Sequence, residues 1–203
     1  LVSDWSSDVC SSDLIDSTGR AGVAIAAGAG YVKGRSTDGF VHEIEHGPLR
    51  DPTHLVDISR SYLQRQSYAP SMNIRESRRV VGDYVVTFDD ALHGRVFPDA
   101  ICRWRSNYDT HFPNSANQSD RAQDWVAMLG QWRRPLSATI PFRSVLPQGL
   151  EGILVVGMAY STDHDTLIAA RMQPDMEHLG EAAGVAAAMA SRRGNQGVMI
   201  RRI

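Results

Sequence analysis

Apolar positions in this chain fall in short continuous runs, not in long alternating stretches, and the clearest run opens the most ordered part of the sequence. Residues 153–157 (ILVVG) predict a buried strand that ends in Gly157. An irregular loop, MAYSTDHDTLIAARMQP, follows, and then an alanine-rich helix, DMEHLGEAAGVAAAM. Pro174 suits the first helical position, where a missing N–H costs nothing. Gly180 and Gly184 lie one turn apart and Ala188 continues their row, so the pattern predicts a helix face that approaches a sheet or a ligand closely. Ordinary α/β packing accounts for the same small residues. A strand that hands the chain to a helix N-terminus is how α/β proteins build sites for anionic or electron-rich groups, because the unpaired N–H groups and the helix dipole point the same way.

The remaining elements are shorter. Residues 15–34 begin with the tail of a strand, turn at Ser17, Thr18 and Gly19, and continue as a small-residue helix that ends near Gly28 or Gly30. Such a helix lies close on a sheet or ligand, as in dinucleotide folds, or is a glycine-tolerant surface helix. Residues 80–87 predict a core strand broken by Gly82, followed by a helical segment at 88–93. A short helix is expected at 122–132 and a strand at 140–145. A turn at Pro147, Gln148 and Gly149 then leads to the strand at 153–157 in a hairpin-like approach.

Charge and composition narrow the field. A net charge of -2 gives no basic patch for nucleic acid or anionic membrane. No apolar run reaches the length of a membrane span. Cys10 and Cys102 match neither a disulfide framework nor a zinc spacing. His42 and His46 have the i, i+4 spacing of a helical metal pair, but Gly47 and Pro48 follow at once, which also fits a solvated loop or a short helix. Arg75, Glu76, Arg78 and Arg79 form a charge run that is either a solvated face or a clamp for an anionic ligand. Residues 102–137 carry most of the aromatics and read as a lid or substrate surface, or as irregular packing around Trp104, Trp125 and Trp132. G-x-G-x-x-G, P-loop, G-x-S-x-G and C-x-x-C motifs are all absent.

Several blocks in order resemble one family. These are Ile15-Asp16-Ser17-Thr18-Gly19; Arg75-Glu76-Ser77-Arg78-Arg79 followed by Gly82-Asp83-Tyr84; Tyr108-Asp109-Thr110-His111; residues 140–147 (IPFRSVLP); and the 153–189 stretch. Together they resemble the bacterial FAD-dependent oxidoreductases of the broad glutathione-reductase-like class. No block is specific alone; their order is. The chain departs from the family pattern at Arg20, where an acidic residue is usual, and at Met158, which replaces an arginine. Asp175 puts a carboxylate in the first helical turn, favourable for the helix and less so for an electron-rich ring nearby.

The resemblance implies an α/β fold: a partial FAD/NAD(P)-binding, Rossmann-like domain lacking its first βαβ unit, formed by residues 15–39 and 138–203, with an inserted loop-rich α+β substrate region at 40–137. Residues 1–14 repeat Ser-Ser-Asp, resemble translated sequencing-adapter sequence and are set aside as a non-native segment. The chain then starts and stops mid-protein, and any export signal lies upstream. The implied activity is hydride transfer from a small organic substrate to FAD and on to an unidentified electron acceptor. Residues expected at the cofactor are Thr18, Gly19, Gly157, Met158, Arg171, Gln173, Asp175 and Met176, the last two through their backbone amides, which would stabilise the negative charge of a reduced flavin. His164 is expected in the loop beside it, as a proton donor or acceptor or as a structural hydrogen-bonding group, with Asp109 and His111 as further catalytic candidates. Arg171 is expected to meet a phosphate or substrate carboxylate, or to pair with Asp163 or Asp165. Two rivals remain: a binding or assembly module that keeps the fold without catalysis, and a fragment that cannot hold FAD.

Overall fold

The computed structural model describes residues 14–37, 39, 43–46, 71–74, 76–108, 119–129 and 135–194. In chain order the elements are β1 (Leu14–Asp16), α1 (Gly22–Ala26), β2 (Tyr31–Val32), β3 (Glu43–His46), β4 (Ser71–Ile74), β5 (Arg79–Val80), α2 (Phe88–Leu92), β6 (Ala100–Ser106), α3 (Asp120–Leu129), β7 (Leu136–Pro141), β8 (Ile153–Val155), α4 (His164–Ala169) and α5 (Gln173–Gly194). Helices and strands mixed in this way fit an α/β fold. The described strands pair in twos: β1 runs parallel to β8, whereas β2–β5, β3–β4 and β6–β7 are antiparallel. Leu14, set aside with the leading residues in the sequence, is the first residue of β1 and is in register with Ile153.

The parallel pair is the centre of the molecule. On β8 successive side chains point to opposite faces. Ile153 and Val155 pack with Ala21, Ala24, Ala29, Val80 and Ala159 on one side. Leu154 and Val156 join the larger core on the other, with Trp104, Tyr160, Ile168, Leu179 and Ala183. A strand buried on both faces must be apolar throughout, which is why ILVV reads as a continuous run.

Local chemistry sets the element ends. Asp16, at the end of β1, reaches over the following turn and accepts hydrogen bonds from the Val23 and Ala24 amides of α1 at 2.9 and 2.8 Å. Its other oxygen accepts from the Thr18 amide and hydroxyl. The start of α1 is thus filled by the protein's own carboxylate. Thr87 and Asp90 form a reciprocal capping box on α2. Asp163 caps α4 by accepting from the Thr166 amide at 2.7 Å.

Several sequence expectations shift. Of the strand predicted at 80–87 only β5 forms; beyond it Gly82 bridges to Pro147 and Val86 to Thr162. Gly82 is pressed so closely on the 161–162 segment that a Cβ there would lie 2.7 Å from Ser161 Cβ. The strand predicted at 140–145 starts earlier and stops at Pro141, where a 3-10 turn, Phe142–Ser144, takes over. It pairs with β6, so the approach to β8 is no hairpin: β8 takes β1 as its parallel partner. The final helix begins at Gln173, one residue before Pro174. Its packed face is not the Gly180–Gly184 row, beyond whose α-carbons lies open space, but Leu179, Ala183 and Ala190, which are buried.

Candidate functional site

The family-like blocks, distant in sequence, are knitted into one structure. The Asp83 amide donates to the Leu146 carbonyl and the Tyr84 amide to that of Arg143, while Ser161 N–H donates to Ser144 O and Val155 N–H to Val145 O. Ser77 Oγ donates to the Gly19 carbonyl. Through these bonds the GDY, IPFRSVLP and ILVVG segments hold one another, and Ser77 ties the RESRR segment to Gly19 of the IDSTG turn.

At their meeting point is a buried polar cluster that the sequence presents only in pieces. Arg79 is 1 % and Glu76 6 % exposed, so this part of the arginine-rich run is neither a solvated face nor an exposed clamp. The two side chains form an ion pair. Glu76 also accepts from the Gly34 amide at 2.6 Å, and Arg79 donates to the Thr162 and Gly34 carbonyls, both at 2.9 Å. A guanidinium serves here because it alone offers several donors in a fixed planar fork. Gly34 is held by both its N–H and its C=O. It has a φ of 78°, and a Cβ on it would lie 2.2 Å from the Gly39 carbonyl oxygen, so no other residue fits this tight loop.

His164 adjoins the cluster. It is the first residue of α4, not a member of an irregular loop, because Asp163 starts a helix there. Its Nδ1 is 2.9 Å from Asp165 Oδ1, and its Nε2 is 3.7 Å from Glu76 Oε2. Asp165 is itself fixed by the amide and hydroxyl of Ser119, just before α3. The Asp163 carboxyl, enclosed below, also accepts from the Phe88 amide at 2.7 Å. Burial raises its pKa above the ordinary carboxylate value despite the opposing Thr166 and Phe88 hydrogen bonds.

A cleft of about 890 Å³ opens over this cluster, within the size range of small-molecule pockets. It is lined by the lip at 33–37 with Gly39, by the start of α2, by Arg121 of α3, and by Thr162, His164 and Asp165.

The other predicted cofactor residues do not line the cleft: Thr18, Gly19, Gly157 and Met158 follow the carboxyl ends of β1 and β8, and Arg171, Gln173, Asp175 and Met176 stand at the start of α5. Thr18 is exposed, and its hydroxyl accepts from the Gly22 amide at 2.8 Å. Gly19 and Gly157 follow the ends of the two adjoining strands with φ of 73° and 70°, and a Cβ built on either meets nothing within 4 Å. Met158 is half-buried in the 3-10 turn Gly157–Ala159, against which α5 packs. Arg171 is half-buried just before α5. Gln173 is exposed at the first position of α5.

Asp175 is buried, and the Arg105 backbone of β6 is among its neighbours. Burial raises its pKa above the ordinary range. The Met176 amide donates to the Met172 carbonyl at 3.0 Å, as the first intrahelical bond, so the expectation that it would face a cofactor is corrected: that donor is spent. Asp109 and His111 lie outside the described residues, as do His42 and Trp132.

Sequence reasoning missed Glu76 and Arg79 as an internal pair, Gly34 as their shared partner, and Ser119 as the support of Asp165. The RESRR block drew attention to the first two; nothing marks Ser119.

The carboxyl ends of β1 and β8 suit a dinucleotide. Two positive-φ glycines leave open space against the backbone at the end of a parallel pair, the place where open α/β sheets take ligands. The start of α1 does not suit an anion, since Asp16 already fills it. A family model described as FAD dependent oxidoreductase matches residues 39–203. No curated protein and no solved structure matches the chain.

Proposed function

Since the chain belongs to the FAD-dependent oxidoreductase family, with FAD as its cofactor, we propose that it oxidises a small organic substrate bound in the cleft over His164 and passes the electrons to a separate acceptor. The family match over most of the chain carries this reading, and the cleft supports it. FAD, when bound, supplies the two-electron chemistry. Gly19, Gly157, Met158, Arg171, Gln173 and the Asp175 amide would hold it at the ends of β1 and β8.

The chain's own part is to bind and orient the substrate and to manage one proton. His164 and Asp165 line the cleft, and this hydrogen-bonded pair would take up the hydroxyl or amine proton that leaves as FAD, when bound, oxidises the substrate. Asp165 orients the His164 ring through Nδ1. The lip at 33–37 and the α2 start also line the cleft and would position the substrate.

Arg20 and Met158 favour a second reading, a flavin-binding module without catalysis, because both depart from the family pattern where the cofactor is expected. One experiment separates the two. The protein is titrated with FAD and followed by flavin absorbance, then mixed anaerobically with a panel of small alcohols, hydroxy acids and amines. Uptake of FAD with bleaching by one class is expected, and His164→Gln should slow that bleaching at least about 100-fold, the usual scale for loss of a proton-transfer group. FAD uptake with no bleaching by any class favours the module, and a folded protein that takes up no FAD overturns both readings.

A further inference from the structure

We propose that the substrate of this cleft carries a carboxylate as well as the hydroxyl or amine to be oxidised, and that Arg121 binds this carboxylate by giving up Asp89 for it. The proposal rests on the reading of the cleft as the substrate site. Most of the charged side chains lining the cleft are committed within the fold. Arg79 is buried against Glu76, Asp163 accepts from the Thr166 and Phe88 amides, and Asp165 is held by Ser119 and His164. Arg35 is half-buried. Among the described residues, the exposed charges that line the cleft are Lys33, Arg121 and Asp89, two positive against one negative. That balance favours an anionic ligand.

The pair formed by Arg121 and Asp89 is suited to such an exchange. Arg121, on α3, donates from Nε to Asp89 Oδ1 of α2 at 3.0 Å. The two side chains are 59 % and 61 % exposed, and an ion pair so open to water contributes little. A carboxylate entering the cleft therefore replaces Asp89 at small cost, on a guanidinium whose planar fork of donors matches it. Arg121 already holds a carboxylate in this place, which favours a substrate acid of the same kind over a phosphate. The anchor is also tied to the proton-handling pair. Two residues before Arg121, Ser119 binds Asp165 through its amide and hydroxyl, and Asp165 binds His164. The start of α3 thus supports both the group that would hold the acid and the pair that would take the proton. Among alcohols, hydroxy acids and amines, this selects hydroxy acids and amino acids.

The test is ¹⁵N NMR of the arginine side chains with FAD present, the Arg121 Nε–H resonance being assigned by its loss in Arg121→Gln. Glycolate, lactate, mandelate and alanine are titrated beside their primary amides, which keep the hydroxyl or amine and lack the carboxylate. At least one acid should move the Arg121 resonance saturably, and its amide should not. Followed through the backbone amides of the cleft, binding of that acid should weaken about 10-fold in Arg121→Gln, the scale of a hydrogen bond to a charged group. Asp89→Asn removes the competing carboxylate and should tighten it. Opposite effects of two exposed substitutions are not what a merely structural pair would give. Equal response to acids and amides, no response to any acid, tighter binding of inorganic phosphate than of every acid, or weaker binding in Asp89→Asn would overturn the proposal. Flavin bleaching keeps the two ideas apart: acids that bind through Arg121 and never bleach the flavin count against the proposed function alone, whereas bleaching by neutral alcohols only upholds that function and overturns this proposal.

Discussion

Asp16 shows how much one side chain decides in this molecule. It ends a strand, spans the turn behind it and fills the start of α1 with a carboxylate that is 1 % exposed. Burial works against its charge, but the Thr18, Ala24 and Val23 hydrogen bonds outweigh it, and its pKa lies below the ordinary value. A folded-state pKa below the unfolded value of about 3.9 means that the stabilisation is present above that pH and is lost as pH falls through the folded value. Asp16→Asn keeps one acceptor oxygen and loses the charge, and should cost about 1–2 kcal/mol at neutral pH, the scale of a lost cap. The gap should close on acidification below about pH 4. Urea denaturation at neutral and acidic pH checks this; an equal gap at both would show that the charge plays no part. Asp163 and Asp175 act in the opposite sense, since burial raises their pKa, and what they contribute is lost as pH rises through the folded value. The IDSTG turn was visible in the sequence, but Asp16 as a helix cap was not, because the amides that donate to it lie seven and eight residues on and depend on where α1 begins.

Among the elements, α5 shows where reading by residue type fails. Its existence follows from the alanine-rich sequence; its start was displaced by a single residue, and it runs past the expected end at Met189 to Gly194. The face it buries was not legible, because small residues occur on every side and periodicity cannot choose among them. The glycine row at 180 and 184 suggested close approach, yet a Cβ on either would meet nothing within 4 Å. Gly184→Ala should therefore stabilise the protein by about 0.5–1 kcal/mol through helix propensity and reduced unfolded-state entropy, raising the thermal midpoint. A lower midpoint would mean that another molecule covers this face. The α4 segment was read as loop for a related reason: six residues are too few to show a helical period, and the Asp163 cap that starts the helix is recognisable only once Thr166 is seen to return to it.

In the whole molecule, β8 divides two cores, and its residues belong to both sides at once. Leu154 is fully buried in the larger core with Trp104, Tyr160 and Leu179. Leu154→Ala removes that packing and leaves a cavity that rigid neighbours cannot close, so a loss of about 2–5 kcal/mol is expected, read as a lower urea midpoint with unchanged slope. A loss under about 1 kcal/mol would show that the core collapses around the gap, contrary to its close packing. Residues of the region expected to carry substrate, among them Val86, Phe88 and Trp104, share this core with Leu154 and Leu179, so the two parts of the chain are packed as one body there. By itself the sequence determined the family blocks, the buried run that becomes β8, the alanine-rich α5 and the cofactor class, because each is written in neighbouring residues whose chemistry is local. Only the tertiary structure decided that β8 takes β1 as its partner, that Glu76 and Arg79 face inward to Gly34 and Thr162, and that His164 stands between two carboxylates. Those outcomes depend on contacts between residues dozens of positions apart, where burial turns a charge run from a solvated face into a clasp.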